Sequence, residues 1–71
     1  MSGSVYRVTE VIGVSSDSWE AAARNAVEAA ARTVRDLRVA EATRFDVTIQ
    51  DGKIADYRVR LDISFKYESG D

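Results

Sequence analysis

The sequence contains neither histidine nor cysteine. The usual zinc ligand is therefore missing, and no disulfide can staple the fold. The groups left for chemistry are carboxylates and basic side chains, mostly in the C-terminal half. Arg58, Arg60 and Lys66 alternate along one stretch, and Asp56, Asp62 and Glu68 share their face. Mixed signs on one face read as a solvated or inter-subunit surface. Glu41, Asp46, Asp56 and Asp62 are candidate calcium ligands if symmetry brings copies together, although no EF-hand spacing exists. The stretch GVSSDS is a strand-to-helix turn whose backbone N–H groups suit an anion. Asp17 already places negative charge there, and the glycine pattern is not that of a P-loop. Acid–base catalysis would fall to Asp, Glu, Lys or Tyr. No nucleophile–base pair can be named, so the chain reads as a binding protein and not an enzyme.

Seventy-one residues with 45% hydrophobic content describe one small folded domain, 1–71, with an ordered core over about 5–67. A chain of this length buries only about 60% of the surface it exposes when unfolded. Twelve acidic against ten basic residues give a net charge of −2, which disfavours nucleic acid as a partner. No run approaches the roughly 18 apolar residues of a membrane span, and the N-terminus lacks a signal-peptide core. A cytoplasmic protein is the default reading.

The residues above must be positioned by a few elements. VYRVTEVI, residues 5–12, reads as a first strand that Gly13 ends. A helix follows within residues 15–37, capped by Ser15 or by Asp17 with Glu20 as a capping box. Trp19, Ala22, Ala23, Ala26, Val27, Ala30, Val34 and Leu37 form its apolar stripe. Arg32, Arg35 and Arg38 near its end suit the helix dipole. Residues 38–49 form a second strand, with Val39, Phe45, Val47 and Ile49 on one side and Glu41 and Thr43 interrupting. Residues 53–67 form a third, with every odd position from Ala55 to Tyr67 apolar.

Matching the apolar faces of this hairpin calls for a three-residue loop, Gln50-Asp51-Gly52, with Gly52 as a G1 bulge. That register sets Phe45 against Tyr57, Val47 against Ala55 and, unfavourably, Arg44 against Arg58. Either a third group relieves the two arginines or a bulge shifts the register. The β-α-β-β order makes every neighbour antiparallel if the third strand lies centrally, giving a 1-3-2 sheet with the helix on its apolar face. A helix of about 20 residues spans roughly 30 Å, whereas a 14-residue strand spans about 45 Å. The remaining apolar surface calls for other copies of the same chain.

The segments VYRVTEVIGVSSDSWEAAARNAV, TVRDLRV and DGKIADYRVRLDISF together resemble the dodecin family over roughly residues 5 to 67. The resemblance implies an α+β subunit whose curved three-stranded sheet cradles one helix. It also implies a hollow homododecamer that stores or sequesters a small ligand, by default a flavin (FMN, riboflavin or FAD). Some members bind coenzyme A, and some without the stacking tryptophan are associated with calcium. Flavin-binding members carry Trp-Phe-Glu at the start of the second strand, where this chain has Val39-Ala40-Glu41. Their ring-contacting glutamine corresponds to Arg58. Their two phosphate-serving arginines correspond to Asp46, two positions from Arg44, and to Lys66. The pocket positions implied are therefore Val39, Arg44, Asp46, Arg58 and Lys66. Losing an aromatic stack worth about 1–3 kcal/mol weakens flavin binding roughly ten- to a hundredfold per stack. An assembly without tight flavin affinity, structural or holding calcium or an anion, is the alternative. Trp19 anchors the helix start in the core or at a subunit contact.

Overall fold

The computed structural model describes residues 3–67. The elements are β1 (Tyr6–Ser15), α1 (Trp19–Ala31), β2 (Leu37–Gln50) and β3 (Lys53–Lys66). The strands form one antiparallel sheet in the order β1-β3-β2, with the helix on one face, as the connections require. The expectations for Glu68 and for the tail residues 1–2 and 69–71 lie outside the described residues.

β1 does not end at Gly13 but runs on to Ser15. Gly13 pairs with Val59 beneath the helix. A Cβ built on it would lie 1.9 Å from the Ala22 carbonyl oxygen and 2.9 Å from the Ala26 Cβ. The glycine thus marks a close approach of helix to strand, not a stop. Ala22, Ala26 and Ala30 form the buried helical stripe and pack on Val59, Leu61 and Ile63. Small side chains on one element and branched ones on the other let the two layers interdigitate.

Ser18 is the N-cap, and its Oγ accepts a 3.0 Å hydrogen bond from the Ala21 N–H. The expected caps fall too early. Ser15 Oγ accepts instead from the Asp17 N–H at 3.0 Å and shapes the approach to the helix. These two hydroxyls occupy the N–H groups of Asp17 and Ala21 within the turn. The helix closes at Ala31 with Arg32 as its C-cap. β-branched Thr33 and Val34 follow, and both of their N–H groups bond the Ala30 carbonyl, tightening the exit. The helix therefore has 13 residues, so Arg35 lies in the connection and Arg38 in β2, away from its dipole.

The hairpin corrects the expected register. Its turn has two residues, Asp51 and Gly52, with φ of 53° and 75°, the backbone of a type I′ turn. Gln50 pairs with Lys53 and Ile49 with Ile54. That turn alone would set the apolar faces against each other. A bulge between Thr48 and Ile49 skips Ala55 and restores the match. Thr48 Oγ, accepting from the Asp56 N–H at 3.0 Å, holds it. Phe45 now faces Val59, Val47 faces Tyr57, and Arg58 meets Asp46 in place of Arg44. A second bulge between Ala42 and Arg44 reverses the alternation of β2. Ala40 and Ala42 face the helix side, while Val39 and Glu41 share the outer face with Ser64 and Asp62. Val39 thus does not share a face with Phe45 and Val47. The interruption at Glu41 and Thr43 was the trace of this bulge.

Fourteen-residue strands reach well past a 13-residue helix that spans about 20 Å. The folded chain measures 57 × 20 × 13 Å, with a radius of gyration of 14.9 Å. A compact chain of this length would have about 11 Å. Val5, Tyr6, Val8, Ile12, Val14, Val39, Phe45, Ile49, Ile54 and Tyr67 are all exposed.

Candidate functional site

Residues that oppose each other across antiparallel strands project to one face. On the outer face, away from the helix, three register rows run from β1 through β3 to β2. They are Val14–Arg58–Asp46, then Ile12–Arg60–Arg44, then Glu10–Asp62–Glu41. The bulge at Thr48 brings the first row together, and the bulge before Arg44 sets the second against the third.

Asp46 and Arg58 form a two-pronged ion pair. Arg58 Nε donates to Oδ1 at 2.7 Å and its Nη2 donates to Oδ2 at 3.1 Å. The hydrogen bond from Arg58 holds the Asp46 carboxyl below its ordinary value of 3.8. Desolvation opposes this as the next largest effect, and the positive charges of Arg58, Arg44 and Arg60 each add a smaller lowering. The same bond and the negative charge of Asp46 raise Arg58 above its ordinary value. Asp46 is also fixed from behind. Trp19 Nε1 donates to its carbonyl oxygen at 3.1 Å, so the first helical turn is tied to the middle of β2. The indole meets Phe45 and Tyr57 edge-on, with centroids 5.9 Å and 5.2 Å away. Trp19 therefore anchors the helix start, as its apolar bulk suggested.

Arg60 is less well served. Its Nη1 lies 3.7 Å from Glu10 Oε2, and its Nε is shielded from solvent without a hydrogen-bond partner. Arg44, directly opposite, makes no ion pair among the described residues. Ile12, Arg44, Asp46, Arg58 and Arg60 enclose a cleft of about 10 Å³. Sequence reasoning set Arg60 with Arg58 and Lys66 on one strand but not beside Arg44, and it missed Glu10. Both share a parity with Arg58, but only the true register sets them beside Arg44.

Of the five pocket positions implied by resemblance, Arg44, Asp46 and Arg58 meet at this cleft. Val39 pairs with Ser64, six positions along β3 from Arg58, a separation of roughly 20 Å. Lys66 pairs with Tyr6 near the far end and borders a 360 Å³ hollow that includes Arg7, Arg35 and Tyr67. A larger apolar gutter of 510 Å³ separates the helix from Ala40 and Ala42 of β2. One copy therefore does not gather the five positions into a single pocket. At two of these positions there is no free stacking surface: Val39 is a 62% exposed aliphatic side chain, and the Arg58 guanidinium is held by Asp46. Among the calcium candidates, Asp46 is ion-paired, Asp56 lies opposite Thr48, and Glu41 and Asp62 share a row with Glu10. Among the described residues, no three such groups converge on a metal position within one copy.

The dodecin family model matches residues 5–68. The calcium dodecin of Mycobacterium tuberculosis is 43% identical over 63 residues, 89% of each chain. Its solved structure, described as having a calcium-binding site, matches with a TM-score of 0.81 over 96% of this chain and 97% of that one. The dodecin of Thermus thermophilus is 33% identical over 66 residues, 93% of this chain and 96% of its own length. Dodecin from Streptomyces coelicolor superposes with a TM-score of 0.92 at 43% identity, covering 99% of this chain and all of that one. A helix laid on a β1-β3-β2 sheet, matched in sequence from end to end of its ordered elements, places the chain in the dodecin family.

Proposed function

We propose that the chain assembles into a closed homododecamer and sequesters a small ligand in pockets that neighbouring copies complete. The observation that carries this reading is the unfinished subunit: large apolar side chains stand exposed on both faces of a thin plate. Its buried core consists of three alanines and three branched residues. Without disulfides or zinc, association is the remaining way to bury enough apolar area. Binding and storage, not catalysis, is the role that a set of paired charges without a nucleophile–base pair supports. Val39, Arg44, Asp46, Arg58 and Lys66 line the proposed pockets only after copies combine. A flavin there would lack a tryptophan stack at Val39 and would meet the carboxylate of Asp46. Its affinity is lower than a stacked site would give, by roughly ten- to a hundredfold per lost stack.

A second reading, calcium, is favoured by the Glu10–Asp62–Glu41 row and by the likeness to a calcium dodecin. Hard oxygen ligands in number suit calcium, and in this case several copies must supply them. Native mass spectrometry of the purified chain tests assembly and retained ligand together. A monomer at micromolar concentration would overturn the shell. Quenching of riboflavin or FMN fluorescence on titration separates flavin storage from calcium, which metal analysis after exhaustive dialysis detects directly.

A further inference from the structure

We propose that the Arg44–Arg60 pair on the outer face receives an anionic oxygen that the single chain does not supply. The register sets these two guanidiniums directly opposite each other, an arrangement that is destabilising without a shared counter-ion. Asp46, bonded through both oxygens to Arg58, feels the charges of Arg44 and Arg60 but makes no ion pair with either. Glu10 approaches only Nη1 of Arg60, at 3.7 Å, and leaves Nε shielded and unpartnered. A shielded donor without an acceptor is costly, so an acceptor is called for. Arg58 pairs with Asp46 and Arg60 approaches Glu10, while Arg44 makes no ion pair among the described residues, Asp62 and Glu41 standing one row away. Ile12 supplies an apolar wall that limits water and strengthens the attraction.

Size decides what fits. About 10 Å³ holds roughly one water-sized group, so the cleft takes a single oxygen and excludes a ring. The ligand chemistry is therefore a terminal oxygen of a phosphate or carboxylate, forked between Arg60 Nε and the Arg44 guanidinium. The oxygen comes from a phosphate-bearing small molecule or from a carboxylate of a second copy. The cleft lies within one copy, so the phosphate source does not depend on the dodecamer, whereas the second-copy source rests on the proposed assembly.

Inorganic phosphate titrated into the full chain by calorimetry, at ionic strength held constant with chloride, tests it. Saturable binding of one phosphate per chain is expected, weakened by at least about tenfold in Arg44→Gln with unchanged circular dichroism and copy number. Absence of phosphate binding, together with dissociation of Arg44→Gln at concentrations about tenfold above wild type, assigns the oxygen to a second copy. Phosphate binding equal in both proteins, or no binding with unaltered assembly, overturns the proposal. Arg44→Glu provides a further check, because it brings a carboxylate to Arg60 from within. It should abolish phosphate binding and raise the unfolding temperature by a few degrees. A lowered unfolding temperature would show that Arg60 lacks nothing, and the proposal would fall.

Discussion

Arg58 and Val59 are neighbours in β3, yet their surroundings have little in common. Val59 is 1% exposed and lies among alanines of the helix, with Gly13 opposite it. Arg58 projects to the other face and is held by one carboxylate that only a bulge brings within reach. The inner face rests on shape: a close-packed seam in which each added atom must displace another. The outer face rests on charge, half-exposed and sensitive to screening and pH. Shape therefore maintains the subunit, while the charged face stays open to whatever binds there.

The largest break in this contrast should come from placing charge on the inner face. Leu61→Asp would bury an unpaired carboxylate where Leu61 is 2% exposed, a cost above about 4 kcal/mol. Loss of the folded circular dichroism signal is expected, and a fully assembled variant would show that this face is not the core. Gly13→Ala probes the seam with one methyl group. Its Cβ meets backbone and not a movable side-chain tip, so destabilisation of about 3 kcal/mol is expected from urea unfolding. A change of a few tenths would mean that the helix can lift away freely.

The smallest effect belongs to the outer face. Asp46 has a lowered folded-state pKa, so its contribution to stability is complete above its ordinary value of 3.8. It is lost as the pH falls through the lowered value, because the unfolded state then binds the proton more readily. Urea midpoints measured from neutral to acidic pH should fall in wild type as the pH passes from the ordinary value of 3.8 down through the lowered one. In Asp46→Asn this part of the decline should be missing. Parallel curves for the two proteins would show that the Arg58 pair contributes nothing to folding.

The same contrast explains what could be read before any coordinates. The element order, the 1-3-2 sheet and the inward set Val59, Leu61 and Ile63 follow from periods of two and 3.6 residues, which burial enforces. The register of the hairpin did not follow. A three-residue loop and a two-residue turn with a later bulge both match the apolar faces, and residue types alone do not choose between them. Arg44 was consequently set against Arg58, while the second bulge, between Ala42 and Arg44, is what moves Val39 to the other face. The segment SSDS offers several capping groups within four residues, which hid Ser18. Gly13 carried two meanings, strand end and close approach, and only the helix above it decides. The outer-face cluster was legible by residue type at Arg44, Asp46 and Arg58 through resemblance. Arg60, grouped by type with Arg58 and Lys66, met Arg44 only when its neighbours across the sheet were known.

At Gly13 main chain meets main chain, and Asn25 Nδ2 adds a bond to the Val14 carbonyl beside it at 3.0 Å. Such a joint does not slide as interleaved side chains do, so it acts as a fulcrum. A load on the far tip of the long ribbon must flex the ribbon itself, leaving the cylinder above it in place.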